Sequence, residues 1–168
     1  MEDAGSSEQA PRTEFVHQFW PAEPDQLPGI RSEVRRWLAP LPLTVQARLD
    51  LLLAVSEAAT NAIEHAYPPD AARESVEVSF WTDPLTVNIE VVDHGKWRTP
   101  SAQPNGRGLG IPLMQRLVDS VMIHLDGRGT RVLFTHALPG AARQLPPGFH
   151  LPTSLELPHI GGEPRPDR

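Results

Sequence analysis

The sequence predicts an α+β fold, a two-layer sandwich in which a mainly antiparallel β-sheet carries helices on one face. Three observations predict it. Two pairs of short, β-branched segments are each joined by a tight turn, which marks two hairpins. Three other segments carry apolar residues at helical spacing. Their order is strand, helix, helix, hairpin, loop, helix, hairpin, and hairpin-joined strands pair antiparallel.

Each element has a local reason. "TEFVHQF" alternates well enough for a strand. "IRSEVRRWLA" is a helix with Ile30, Val34, Trp37 and Leu38 on one face, ending before Pro40. A long helix runs from about Thr44, a suitable N-cap, to Tyr67, where Pro68 and Pro69 close it. "SVEVSFWT" and "LTVNIEVV" are strands around an Asp83-Pro84 turn. "DHGKWRTPSAQPNGRG" is a Gly/Pro-rich loop, and "GIPLMQRLVD" is a helix. "SVMIHLD" and "GTRVLFTHAL" make the second hairpin around "GRG". The folded unit is therefore expected over 13–138, with a disordered N-terminus at 1–12 and a disordered Pro/Gly-rich tail at 139–168.

Composition narrows the function. The chain has 168 residues, 39% hydrophobic and 21% charged, which suits one globular domain with a real core. A net charge of −6 argues against a broad grip on nucleic acid or anionic membrane. Cysteine is absent, which removes disulfides, thiolate metal sites and a cysteine nucleophile, and fits a cytoplasmic location. The polar, acidic start is no signal peptide, and no apolar run nears the roughly 20 residues of a membrane span.

The long helix carries the first chemical signal. Glu57, Asn61 and His65 stand four residues apart in "SEAATNAIEH". Each four-residue step moves a side chain only about 40° around a helix, so the three form one line, with Asp50 in the same arc. Leu51, Leu52, Val55, Ala59, Ile63 and Ala66 fill the opposite side, and Ala54, Ala58 and Ala62 border the polar line. A solvated face is the simplest account of such a line. Yet solvated faces usually mix cations with acids, and here a short carboxylate and an amide are framed by alanines. An Asn oxygen can ligate Mg²⁺, and a Glu can accept a proton or orient a water. Zinc is a weaker idea because the H-E-x-x-H spacing is missing. His65 by itself reads as a boundary residue.

Three further motifs follow along the chain. "VVDHGKW" ends a strand in Asp93, His94 and Gly95, either an ordinary turn or a carboxylate beside a glycine that lets a planar ligand lie close. "NGRGLGI" places Gly106, Gly108 and Gly110 at a helix start, where free amides and the helix dipole attract an anion. No strand immediately precedes it, so a Rossmann reading fails on context, and the P-loop pattern is absent. "GRGTRVLF" starts the last strand at Gly129 and Thr130.

Each motif is common alone, but their order is specific. Glu-x-x-x-Asn on a helix, Asp-x-Gly after a strand, a Gly-rich helix start, and Gly-Thr before a strand resemble the N box and three G boxes of the GHKL ATPase superfamily. Within it, "VSEAATNAIEHAY", "VVDHGKW", "GRGLGIPLMQRLVDSV" and "GTRVLF" are similar to the small anti-sigma-factor serine/threonine kinases, over about residues 15–138. The resemblance implies the Bergerat ATP-binding fold, with ATP and Mg²⁺ as cofactors. It implies Asn61 as Mg²⁺ ligand and Glu57 as general base, or as a group that orients the acceptor. It implies Asp93 as acceptor for the adenine amino group, Gly95 as room for the base, and Thr130 as support for that contact. Gly106, Arg107, Gly108, Leu109 and Gly110 match the phosphate-binding segment, and 96–107 match the lid. Arg107 is equally well read as a solvated loop cation.

The implied reaction transfers the γ-phosphoryl of ATP to a serine or threonine of an anti-anti-sigma protein with a STAS domain, which competes with a sigma factor for the kinase. A homodimer is compatible with this family. The alternative is a non-catalytic, ATP-dependent partner switch. A histidine kinase is disfavoured because no phospho-accepting helix pair fits in the chain, and gyrase-like ATPases need further domains. The Pro-rich tail is either a docking segment or disorder.

Overall fold

A computed structural model describes residues 15–68, 74–96 and 110–140. Segments 1–14, 69–73, 97–109 and 141–168 fall outside it. The expected disordered ends and most of the expected lid therefore lie outside the described residues.

Five strands form one sheet in the order β1-β2-β3-β5-β4. They are β1 (Val16–Pro21), β2 (Ser75–Thr82), β3 (Thr86–Asp93), β4 (Ser120–Asp126) and β5 (Gly129–Ala137). Every neighbouring pair is antiparallel. Three α-helices accompany them among the described residues: α1 (Leu27–Leu38), α2 (Val45–His65) and α3 (Gly110–Leu117). The fold is the expected α+β sandwich.

The registers explain why one face of the sheet is covered. Phe80 stands opposite Ile89, and Ile89 opposite Phe134, so these side chains share a face with Val76, Val78, Val87, Val91 and Val132. All are buried. Trp37 of α1 lies on Phe80 with ring centroids 5.2 Å apart, and Leu51, Val55 and Ala59 of α2 join the same core. The other face is polar in the middle and apolar at its rims, with Phe19 and Met122 exposed.

Local chemistry sets most boundaries as expected. The Thr44 hydroxyl accepts from the Ala47 amide at 3.0 Å and caps α2. Asp83 Oδ1 accepts from the Leu85 and Thr86 amides at 2.8 and 2.7 Å, which closes the first hairpin. Several boundaries differ: α2 ends at His65 rather than Tyr67, α3 ends at Leu117 rather than Asp119, and the starts of α1 and β1 shift. A 3₁₀ turn at Pro24–Gln26 leads directly into α1, which starts at Leu27 rather than Ile30. Pro28 sits in the first helical turn, where its missing N–H removes no intrahelical bond. Strand β1 begins at Val16 and runs on to Pro21, since its last pairing is with Ser75 at the start of β2.

Phe80 is fully buried between the sheet and Trp37. Phe80→Ala is expected to cost about 3–5 kcal/mol of stability, read as a lower denaturant midpoint at unchanged m-value.

Candidate functional site

The chain order of the last three elements builds the site. After β3 the chain crosses through α3 to the sheet edge, forms β4, and returns by a hairpin to lay β5 beside β3. The end of β3 and the start of β5 thereby become direct neighbours, with Asp93 opposite Thr130. Both are buried and lie on the helix-covered face.

Asp93 is held by backbone amides. Its Oδ1 accepts from the Gly95 amide at 3.0 Å and the Thr130 amide at 3.2 Å. Burial pushes its carboxyl above the usual carboxylate range, and the two amides pull it only part of the way back. The Thr130 hydroxyl beside it is buried with no hydrogen-bond partner among the described residues. Gly129 has φ of 142°, and a Cβ there would overlap the Asp93 carbonyl oxygen. The Gly-Thr start of β5 is thus a requirement of this strand pair.

The C-terminus of α2 fixes the turn that follows Asp93. A Cβ on Gly95 would overlap the carbonyl of Ala66, and that carbonyl accepts from the Lys96 amide at 2.9 Å. Close packing on α2 therefore gives Gly95 a structural reason of its own. Tyr67, which the sequence offers merely as the helix end, donates from its hydroxyl to the Ser75 carbonyl at 2.6 Å. The same hydroxyl accepts from the His94 amide at 2.9 Å. Burial pushes the Tyr67 phenol up from its ordinary value. On the open face, Glu77 accepts from His17 at 2.9 Å and also pairs with His94. Burial would raise the Glu77 carboxyl, but these two histidines more than offset it and hold it low.

Helix α2 supplies the opposite wall. Leu51, Leu52, Val55, Ala59, Ile63 and Ala66 are buried as expected, and so are Ala54, Ala58 and Ala62. The element that approaches those small side chains is α3. Ile111 and Met114 line one cleft with Ala58, Ala62 and Ala66, with Asn61, and with Asp93 and Thr130 on the sheet. At the mouth, a Cβ on Gly110 would lie 3.2 Å from Glu57 Oε1 and 3.3 Å from Asn61 Nδ2. Glu57 and Asn61 thus meet the first residue of α3. His65 is not drawn in; it is exposed beside Glu64 at 3.8 Å. Gly106, Arg107, Gly108 and Leu109 lie outside the described residues.

The polar groups of the cleft fall at its two ends. A buried carboxylate and an unpartnered hydroxyl stand at the closed end, and an amide and a carboxylate stand where α3 begins. Between them the cleft has about 20 Å³ of open room, space for a single water. Ile111 and Met114 line this narrow space from α3, so a purine bound there requires the cleft to open.

A family model described as the histidine kinase-like ATPase domain matches residues 20–136. The chain belongs to the histidine kinase-like ATPase family. The serine-protein kinase RsbW of Bacillus subtilis (strain 168) is 31% identical over 142 residues, covering 76% of this chain and 88% of that protein. The anti-sigma F factor of Caldanaerobacter subterraneus subsp. tengcongensis is 30% identical over 117 residues, covering 62% and 80%. The crystal structure of the RsbU and RsbW domains of a Mycobacterium tuberculosis protein matches with a TM-score of 0.61 at 26% identity. That match covers 75% of this chain and 33% of that one. Within the histidine kinase-like ATPases, the chain thus groups with the anti-sigma kinases. No described helix is long and apolar enough to cross a membrane.

Two predictions test the site as a structure. Tyr67→Phe removes two hydrogen bonds and leaves the His94 amide and Ser75 carbonyl to water. It should cost roughly 1–3 kcal/mol, seen as a lower thermal midpoint. Asp93→Asn keeps an oxygen for the Gly95 and Thr130 amides but cannot ionise. The folded chain holds the Asp93 proton more tightly than the unfolded chain does, so ionisation costs stability as pH rises through the raised value. Without nucleotide, Asp93→Asn should therefore match the wild type at acid pH and melt increasingly higher than it towards neutral pH, in a thermal series across pH.

Proposed function

We propose that this protein is an ATP-dependent serine/threonine kinase. Its acceptor is an anti-anti-sigma protein of the STAS type, and through it the kinase restrains a sigma factor. One observation carries the reading: Glu57 and Asn61 meet the start of α3 at the mouth of the cleft whose closed end is Asp93 and Thr130. Relatives named serine-protein kinase RsbW and anti-sigma F factor, at about 30% identity, support it.

Each residue then has a task. Asp93 accepts from the exocyclic amine of adenine, and the unpartnered Thr130 hydroxyl supports the same edge of the base. Asn61 turns its side-chain oxygen to Mg²⁺, which when bound neutralises phosphate charge during transfer. Gly110, with the preceding Gly106, Arg107, Gly108 and Leu109, offers amides and a cation to the phosphates. Glu57 orients the acceptor hydroxyl and takes its proton as that oxygen bonds to the γ-phosphorus of ATP and the bond to the β–γ bridging oxygen breaks, with ADP as the leaving group. Phosphoryl transfer asks mainly for position and charge neutralisation. The rigid helix wall and the strand-end carboxylate supply the positioning, and the neutralisation would come from Mg²⁺ and the amides before α3.

Labelled ATP, incubated with the purified protein and each STAS-domain protein of its genome, tests the reading. Label on a serine or threonine of one of them is expected. ATP binding without transfer would make the chain a non-catalytic partner switch instead. Glu57→Ala should lower transfer by about 10²-fold or more while ATP affinity, by calorimetry, changes little. Asp93→Asn should weaken ATP by at least about tenfold. Hydrogen exchange with and without Mg·ATP should show altered protection in α3, since Ile111 and Met114 line the cleft that must open; an unchanged α3 would contradict that opening.

A further inference from the structure

The line of Glu57 and Asn61 continues backwards along α2, and there it changes character. At the same four-residue step stand Leu53, Leu49 and Val45. They are 46%, 53% and 72% exposed, three of the six large apolar side chains exposed among the described residues. Polar groups flank them, with Gln46 donating to Asp50 at 2.8 Å. A helix that buries its other face as fully as α2 does normally turns charged residues outward. Here a continuous apolar ridge about 12 Å long ends one helical turn before Glu57.

We propose that Val45, Leu49 and Leu53 form the docking ridge for the phosphoacceptor protein, seating an apolar patch that flanks its acceptor hydroxyl. The inference rests on the kinase reading above. A hydroxyl on a folded protein can reach Glu57 only if the surface around it lies over neighbouring parts of the kinase. The preceding turns of α2 carry the ridge towards that carboxylate, rotating about 40° around the axis with each four-residue step. The size of the ridge fits this occupant better than a second copy of the chain. Three side chains offer a few hundred Å² at most, well below the roughly 800 Å² per partner of a standard stable interface. A substrate that must dissociate after each turnover needs no more, because the active site adds its own contacts. The occupant is thus a folded protein with a serine or threonine beside exposed aliphatic or aromatic side chains.

Leu49→Glu/Leu53→Glu tests the ridge against the wild type, with the STAS-domain protein that the wild type phosphorylates as acceptor. ATP affinity should stay within about twofold, and KM for the acceptor should rise at least about tenfold with kcat little changed. Unchanged KM overturns the ridge and leaves the kinase reading standing. Loss of ATP binding as well overturns it too, since the ridge would then serve the nucleotide site. A change of oligomeric state in sedimentation at unchanged KM assigns the ridge to a second copy. If the wild type labels no STAS-domain protein of its genome, the kinase reading and the ridge fall together. Leu49→Ala/Leu53→Ala keeps good helix formers at both positions and gives the same comparison should the glutamates disturb folding.

Discussion

The site depends on one buried carboxylate. Asp93 sits at the end of a central strand, away from water, with its charge met chiefly by backbone amides. Such a group is costly to bury, and the surrounding backbone is arranged to reach it. The pairing of β3 with β5 brings the Thr130 amide, and the tight turn at Gly95 brings the second. Both arrangements demand glycine, at 129 because of φ and crowding, and at 95 because of the α2 carbonyl. A local stability penalty is thereby retained at the closed end of the cleft, and strain and burial commonly gather around functional sites.

Helix α2 does two jobs that usually fall to separate elements. Its buried side holds the sheet through Leu51, Val55 and Ala59, and its alanines at 54, 58 and 62 keep the wall thin. Its outer line presents apolar groups first and polar groups afterwards. Its end clamps the turn after β3 through Ala66 and Tyr67. A single rigid rod therefore sets the distance between the closed end of the cleft and its mouth.

Much of this was legible in the sequence because the signals are local. The hairpins follow from period-two alternation and from Asp83, whose side chain closes its own turn. The long helix follows from its apolar arc and its Thr44 cap. The start of α1 was not legible, since the helix begins three residues before Ile30, at Leu27, with Pro28 in its first turn. Motif order singled out Glu57, Asn61, Asp93 and Thr130; the last three line one cleft, and Glu57 meets Gly110 beside Asn61. The role of Tyr67 was not legible, because its two partners lie 8 and 27 residues away in the chain. Nor was the crowding at Gly95, which a sequence can only render as a turn. The closeness of Gly110 to Glu57 depends on how α3 docks, which no spacing along the chain encodes.

The position of β5 has a consequence for synthesis. Among the described strands it is the last to be made, yet it lies between β3 and β4 rather than at a rim. Until residue 137 has left the ribosome, β3 has no partner on one side and β4 has none at all. A chain halted before that point exposes two bare strand edges and a half-built cleft. The nascent protein must therefore wait, unzipped, for its final hairpin, and chaperone demand should concentrate in that interval rather than after release.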